Sequence, residues 1–284
     1  MDKPGFTLEG AHVAIIGLGL MGGSLALSLK GRCGRLSAID MHLPTIELAR
    51  RQEIVDMIDD TPARILGDAE LIILACPVPA ILDWLHRLPE YVRHACIVLD
   101  IGSSKRTILS ALETLPPNFD PIGGHPICGR ERLSLENAER FLYRDAPFVL
   151  TPLERTGARA RSAVLQFVET LGANPIWMNA ADHDRLLAAT SHLPYVAASA
   201  LAHATQSEAR PLIGPGFRST SRLAGTPSDM MLGVLLSNAD NLLTSIARFR
   251  RSLEMIESAL ESGDEEALRS VLDHSRSSYQ SLLA

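Results

Sequence analysis

The chain has 284 residues, 46% of them apolar, and a formal net charge of −6. That length exceeds the roughly 100–200 residues of one domain, so two domains are expected, with ample apolar residues for a large core. The acidic balance argues against a nucleic-acid partner, which needs a basic face, and no run approaches the ~18 apolar residues of a membrane span.

From the N-terminus, short apolar runs alternate with amphipathic stretches. Residues 12–16, 36–39, 71–75 and 96–99 are rich in Ile, Val and Leu, as strands buried on both faces are. Helical periodicity falls between them, over 21–29, 43–51, 79–88 and 105–115. This rhythm predicts a parallel, doubly wound α/β sheet, closed by a last strand at 148–152. Beyond residue 157 the pattern turns helical, apart from a strand expected over 175–178. Residues 180–205 read as one Ala-rich helical stretch carrying Pro194. Leu242, Ile246, Phe249, Leu253, Ile256 and Leu260 then recur at alternating spacings of four and three, a narrow apolar seam for helix packing. Ser262-Gly263 ends that helix, and Asp264 can cap another reaching about residue 283. The expected organisation is a Rossmann-type α/β domain over 1–152 followed by an all-α helical domain over 153–284.

The four cysteines, Cys33, Cys76, Cys96 and Cys128, show neither CxxC pairing nor metal-like spacing. Reduced thiols are expected. The N-terminus has no apolar signal core, which predicts a cytoplasmic protein.

Gly17-Leu-Gly19-Leu-Met-Gly22 directly follows the first strand and opens a helix. Gly17 suits the tight turn, Gly19 the close approach of a pyrophosphate, and Gly22 the packing of helix on strand. Leu20 and Met21 begin the helix whose free N–H groups would meet the phosphates. Alone, the pattern also fits any Gly-rich turn. Asp40, 18 residues past Gly22, ends the next strand, where a carboxylate can accept from adenosine ribose hydroxyls. Its rival reading is a strand-end turn former. Met41 and His42 follow, with no arginine for a 2′-phosphate, so NAD is expected rather than NADP. Cys76 and Pro77, after the next strand, either line the cleft or form a rigid loop.

Four later segments are unusually polar for their positions: Asp100-Ile-Gly-Ser103-Ser-Lys105, Gly124-His125-Pro126-Ile-Cys-Gly129-Arg-Glu131, Thr190-Ser191-His192-Leu193-Pro194 and Gly216-Phe-Arg218-Ser-Thr-Ser-Arg222. Ligands bind at strand ends of a doubly wound sheet. His125, just past the fifth or sixth strand, therefore points to a redox site. Asp182-His183-Asp184 imitates a metal cluster, but adjacent helical residues face different ways, and no metal is expected.

In this order after the glycine turn, these segments resemble the prephenate/arogenate dehydrogenase family of tyrosine biosynthesis, over about residues 12–270. The resemblance implies a Rossmann domain, a dimerising helical domain, and NAD(P) with substrate in the cleft between them. It implies oxidative decarboxylation of a cyclohexadienol. It also implies roles: His125 accepts the ring-hydroxyl proton, Ser103 assists, and Arg222 holds a carboxylate. Glu131 orders polar contacts at the cleft, and His192 and Tyr195 contact substrate. Activity should then rise with pH through an ionisation near that of free imidazole, ~6.5. The plainer readings are Ser103 as the cap of the helix from Lys105, His192 as a core histidine, and Arg222 as a surface arginine.

The sequence departs from the family pattern at Tyr195, where many relatives have a second histidine. It departs again at Ser219, where many have an acid, and at Met231, where many have tryptophan. These positions bear on substrate choice. Prephenate is expected, giving 4-hydroxyphenylpyruvate; arogenate, giving tyrosine directly, is the alternative. A β-hydroxyacid or imine reductase would place a lysine in the first long helix of the second domain, but no lysine follows Lys105. A non-catalytic NAD-binding sensor or assembly subunit shares the fold, yet His125 and Arg222 are both present. A homodimer through the C-terminal helices completes the expectation.

Overall fold

The computed structural model describes residues 6–129 and 134–283. Eight strands form one sheet: β1 (His12–Ile16), β2 (Arg35–Ile39), β3 (Met57–Asp59), β4 (Leu71–Leu74), β5 (Cys96–Asp100), β6 (Phe119–Pro126), β7 (Pro147–Pro152) and β8 (Asn174–Trp177). Their order is β3-β2-β1-β4-β5-β6-β7-β8. All neighbours run parallel except β6 and β7. The helices α1 (Leu20–Leu29), α2 (Leu43–Arg51), α3 (Pro62–Leu66), α4 (Val78–Tyr91), α5 (Arg106–Glu113) and α6 (Ala158–Leu171) cover both faces.

Alternation along β1 explains why every residue in it is apolar or enclosed. Val13 and Ile15 join the layer built with α1, α2 and α6, while Ala14 and Ile16 join the layer with α3, α4 and α5. The chain leaves β1 toward β2 and later returns to β4 on its other side. That reversal opens a crevice at the strands' carboxyl ends, where such folds hold ligands.

Two features differ from the sequence reading. His125 lies within β6 rather than past a strand, because Gly123 and Gly124 let that strand run close to its neighbours. A Cβ on Gly124 would come within 2.9 Å of Leu99 and Phe148 and 3.0 Å of the Asp100 carbonyl. The strand at 148–152 is not the last: β8 pairs with β7 in parallel, joined to it through α6.

The remaining chain is helical: α7 (Ala180–Leu187), a π-helical turn (Ala188–His192), α8 (Leu193–Ala204), α9 (Pro215–Ser221), α10 (Ser228–Ser237), α11 (Ala239–Ser262) and α12 (Glu265–Leu283). The stretch at 180–205 is thus interrupted. Pro194 has no N–H for the preceding turn, and a wider turn absorbs the missing bond. A 94° bend separates α10 from α11 at Asn238. The apolar seam of α11 starts buried at Leu242 but lies open at Phe249, Leu253 and Leu260, and α12 buries no residue at all. No single helix among the described residues is long and apolar enough to cross a membrane.

Candidate active site

The crevice holds a cavity of about 570 Å³ lined by Gly17, Gly19, Leu20, Met21, Asp40, Cys76, Pro77 and Ser103. All but one of the residues expected to touch a cofactor therefore meet there; the exception is Gly22, which shapes the wall from behind. Gly17 has a φ of +95°, open to glycine at little cost, and an added Cβ would sit 2.7 Å from the Ala75 carbonyl oxygen. A Cβ on Gly22 would overlap the Gly17 carbonyl oxygen. The turn is therefore a cradle that only hydrogen at these positions leaves open, followed by the N-terminus of a ten-residue helix. A dinucleotide's phosphates fit that cradle. The Asp40 carboxylate accepts the N–H of Leu18 at 2.7 Å and of His42 at 2.9 Å. It thus braces the glycine turn while facing the cavity. Burial pushes the Cys76 thiol up to about 12, leaving that wall uncharged.

The helical half completes the cavity with Pro227, Asp229, Met230 and Val234, a contribution with no signal in the sequence beyond the Met231 departure. The close fit of α10 against α4 depends on Gly233, where a Cβ would meet Pro79 at 2.6 Å.

Beyond Ser103 lies a buried polar cluster. Lys105 and Asp100 form an ion pair with no exposed surface, and Asp100 Oδ2 also accepts the Gly102 N–H at 3.0 Å. Burial raises the Asp100 carboxyl and lowers the Lys105 ammonium, each opposed by the other's charge. Lys105 is therefore enclosed, its ammonium held by Asp100. Ser104 is buried and accepts a hydrogen bond from Ser237 of α10 at 2.7 Å, whereas Ser103 faces the cavity. Ser103 does not cap α5, which starts at Arg106 without a side-chain cap from its own N-terminus. The Asp184 carboxylate caps it instead, accepting the backbone N–H groups of Lys105 at 2.7 Å and Arg106 at 2.9 Å.

His125 is half-buried on β6 and is not among the residues lining that cavity. Its Nδ1 lies 2.8 Å from His183 Nε2, and His183 Nδ1 lies 2.8 Å from Asp184 Oδ1. Burial, with the neighbouring His183, Lys105 and His192, holds the His125 imidazole well below its ordinary range. The expected ionisation near 6.5 is thus displaced downward, chiefly by burial and further by the neighbouring potential cations. His183 and Asp184 went unrecognised in the sequence since neighbouring helical residues ordinarily diverge; here the His183 ring folds back onto Asp184. Asp182 is exposed and bound to Arg185 and Asn179.

His192 is fully enclosed. Its Nδ1 lies 3.2 Å from Asn238 Nδ2, and its Nε2 is buried with no hydrogen-bond partner among the described residues. Burial, reinforced by His183, brings the ring down to about 4. Tyr195 is half-buried against the layer containing α4, alongside Met230 and Leu235. Arg222 is exposed at the 3-10 turn following α9, and Ser219 bonds the Gly216 carbonyl at 3.0 Å. Glu131 lies outside the described residues.

Residues 25–177 match the nucleotide-binding domain of prephenate dehydrogenase, and residues 179–274 match its dimerization domain. A prephenate dehydrogenase of Bacillus subtilis is 29% identical over 268 residues, covering 90% of this chain and 72% of that protein. A cyclohexadienyl dehydrogenase of Zymomonas mobilis is also 29% identical, over 96% of this chain and 95% of its own length. The crystal structure of Aquifex aeolicus prephenate dehydrogenase, in complex with hydroxyphenyl propionate and NAD+, superposes with a TM-score of 0.89 at 28% identity, covering 98% of this chain and all of that one. With the two matched domains spanning most of its length, the chain belongs to the prephenate dehydrogenase family of oxidoreductases.

Proposed function

We propose that the protein is an NAD-dependent prephenate dehydrogenase that forms 4-hydroxyphenylpyruvate. The observation that carries this reading is His125, a half-buried imidazole on β6 that burial keeps neutral and whose Nδ1 is held at 2.8 Å by His183. NAD, when bound, supplies the acceptor for the hydride leaving the ring carbinol carbon. Gly17, Gly19 and Gly22 with the N-terminus of α1, at Leu20 and Met21, hold its pyrophosphate, and Asp40 holds the ribose hydroxyls. Cys76 and Pro77 form the apolar wall.

The chain's own part is proton management. His125 takes the proton of the ring hydroxyl as that carbon is oxidised. The electron pair of the bond to the departing carboxylate then flows into the ring, carbon dioxide leaves, and a phenolate oxygen forms. His125 returns the proton there, so no net proton is released. Ser103, at the cavity wall, shares the hydroxyl and aligns it. His192, enclosed and held through Nδ1 by the Asn238 amide, backs the site from within the helical half rather than touching substrate. Arg222 and Glu131 hold substrate carboxylate and polar groups at the cleft, and Tyr195 sets the shape of the side-chain pocket. Arogenate is the second reading: Tyr195 stands where many relatives carry a histidine and cannot supply a positive charge, whereas Ser219 in place of an acid leaves no carboxylate there for arogenate's ammonium.

We further place the boundary between the two halves after β8 rather than at residue 152, since α6 and β8 complete the sheet. The exposed seam of α11 supports a homodimer through the C-terminal helices.

The test is reduced-nicotinamide formation with prephenate and with arogenate, each with NAD and NADP. Prephenate with NAD is the expected productive pair, and His125→Asn should lower kcat by about 10²–10⁴-fold while NAD still binds. Turnover of arogenate alone would overturn the substrate assignment. Silence with both, despite NAD binding, would favour a sensor.

A further inference from the structure

We propose that Asp184 and His183 form a directed hydrogen-bond relay with His125 that fixes which ring nitrogen of His125 accepts the substrate proton. The inference rests on the reading of His125 as the base and adds the reason why one of its two nitrogens is available.

The relay begins at a carboxylate with a full set of donors. Asp184 Oδ1 accepts from the backbone N–H of Lys105 and faces His183 Nδ1; Oδ2 accepts from the backbone N–H of Arg106 and, at 3.4 Å, from its Nε. Burial opposes ionisation of this carboxyl, but His183 and the two N–H groups outweigh it and lower it. An ionised carboxylate can only accept. His183 must therefore carry a proton on Nδ1, and in the neutral ring Nε2 is left with a lone pair. That lone pair faces His125 Nδ1 at 2.8 Å. The contact is a hydrogen bond only if His125 donates, so its proton sits on Nδ1 and its Nε2 is the free acceptor. One buried carboxylate thus sets two tautomers in series.

The geometry also bears on the proton once it has moved. The O–H bond of the substrate breaks, an N–H bond forms at His125 Nε2, and the imidazolium donates through Nδ1 to His183, behind which stands the Asp184 anion. The groups facing His125 that resist this charge are His183 itself, Lys105 at the start of α5 and His192 in the π-helical turn; Asp184 behind His183 and Asp100, paired with Lys105, offset the first two. The relay crosses between the halves of the chain, from β6 to α7, so the base is aligned only when both are in place. His183 and Asp184 touch neither substrate nor cofactor in this scheme; they are positioning residues.

The deciding experiment is long-range ¹H–¹⁵N spectroscopy of the full-length protein labelled on histidine, with His125→Asn assigning the His125 signals. At neutral pH the expected pattern is a protonated Nδ1 and an unprotonated Nε2. His183→Leu should erase that pattern and lower kcat by about 10²–10⁴-fold with KM little changed, the span for an aligned general base. His183→Gln, whose amide oxygen can still accept from Nδ1, should restore the pattern and most of kcat. If His183→Leu fails to fold, the wild-type spectrum decides alone. An Nε2-protonated His125 in an enzyme that turns over prephenate overturns the relay and leaves the reaction standing. The expected tautomer in a protein inert toward both substrates supports the relay and overturns the reaction.

Discussion

Replacing Gly22 by alanine tests whether the cradle's geometry, rather than its composition, binds the cofactor. The added methyl would overlap the Gly17 carbonyl oxygen, lie 3.0 Å from its carbon and 3.2 Å from the Ala75 Cβ. Two of these three contacts are backbone, which cannot rotate away. Ordinary separation is about 3.5 Å, so α1 must withdraw from the turn by at least about 1 Å. Overpacking of this kind costs about 1–3 kcal/mol. If the strain is relieved by drawing the helix N-terminus away from the phosphates, the Kd for NAD rises about 5- to 150-fold. Gly23→Ala is the control. The atoms nearest its Cβ would be side-chain atoms of Leu135 and Ala138, and the flexible Leu135 can yield. Calorimetric titration with NAD, beside thermal melts, separates lost binding from lost folding. Gly22→Ala binding NAD as tightly as the wild type would refute the reasoning.

The acid limb of kcat/KM, which reports the free enzyme, is expected to have its midpoint below 6.5, because the lowered His125 stays neutral as pH falls; a midpoint at or above 6.5 would count against its burial. His192 links pH to stability. An unfolded histidine titrates near 6.5 and this one at about 4, so stability is complete above the former and declines as pH falls toward the latter, by up to about 3 kcal/mol. Urea unfolding across that interval should show a shallower decline for His192→Asn; equal slopes would remove His192 from the effect. Leu253→Glu, on the exposed seam of α11, should convert a dimer to a monomer by sedimentation, and a wild-type chain already monomeric at micromolar concentration would refute the interface.

What could be read from the sequence was the part governed by neighbours in the chain. Gly17, Gly22 and Asp40 lie within one strand-turn-helix-strand unit, and their spacing alone carries the geometry. Ser103 could be chosen as the site serine by its place in a motif, while the bond from Ser237 that occupies Ser104 joins residues far apart in sequence. The same holds for the contact between His125 and His183, which lie on separate halves. Asn238 belongs to no motif in the sequence, yet its side chain reaches the Asp184 carbonyl at 2.6 Å and His192 at 3.2 Å. The strand over 175–178 was expected, but its place in the sheet beside β7 was not, because β8 is short and exposed and its sequence does not say which strand it pairs with.

The capping of α5 by a carboxylate 78 residues further along the chain bears on how the molecule unfolds. Neither half closes its own buried hydrogen bonds: the start of α5 needs Asp184, and Asp184 needs the donors of α5. Separation would leave N–H groups in one fragment and a carboxylate in the other, each having lost its partners. The two halves are thus expected to melt in a single cooperative transition, with calorimetric and van 't Hoff enthalpies in agreement.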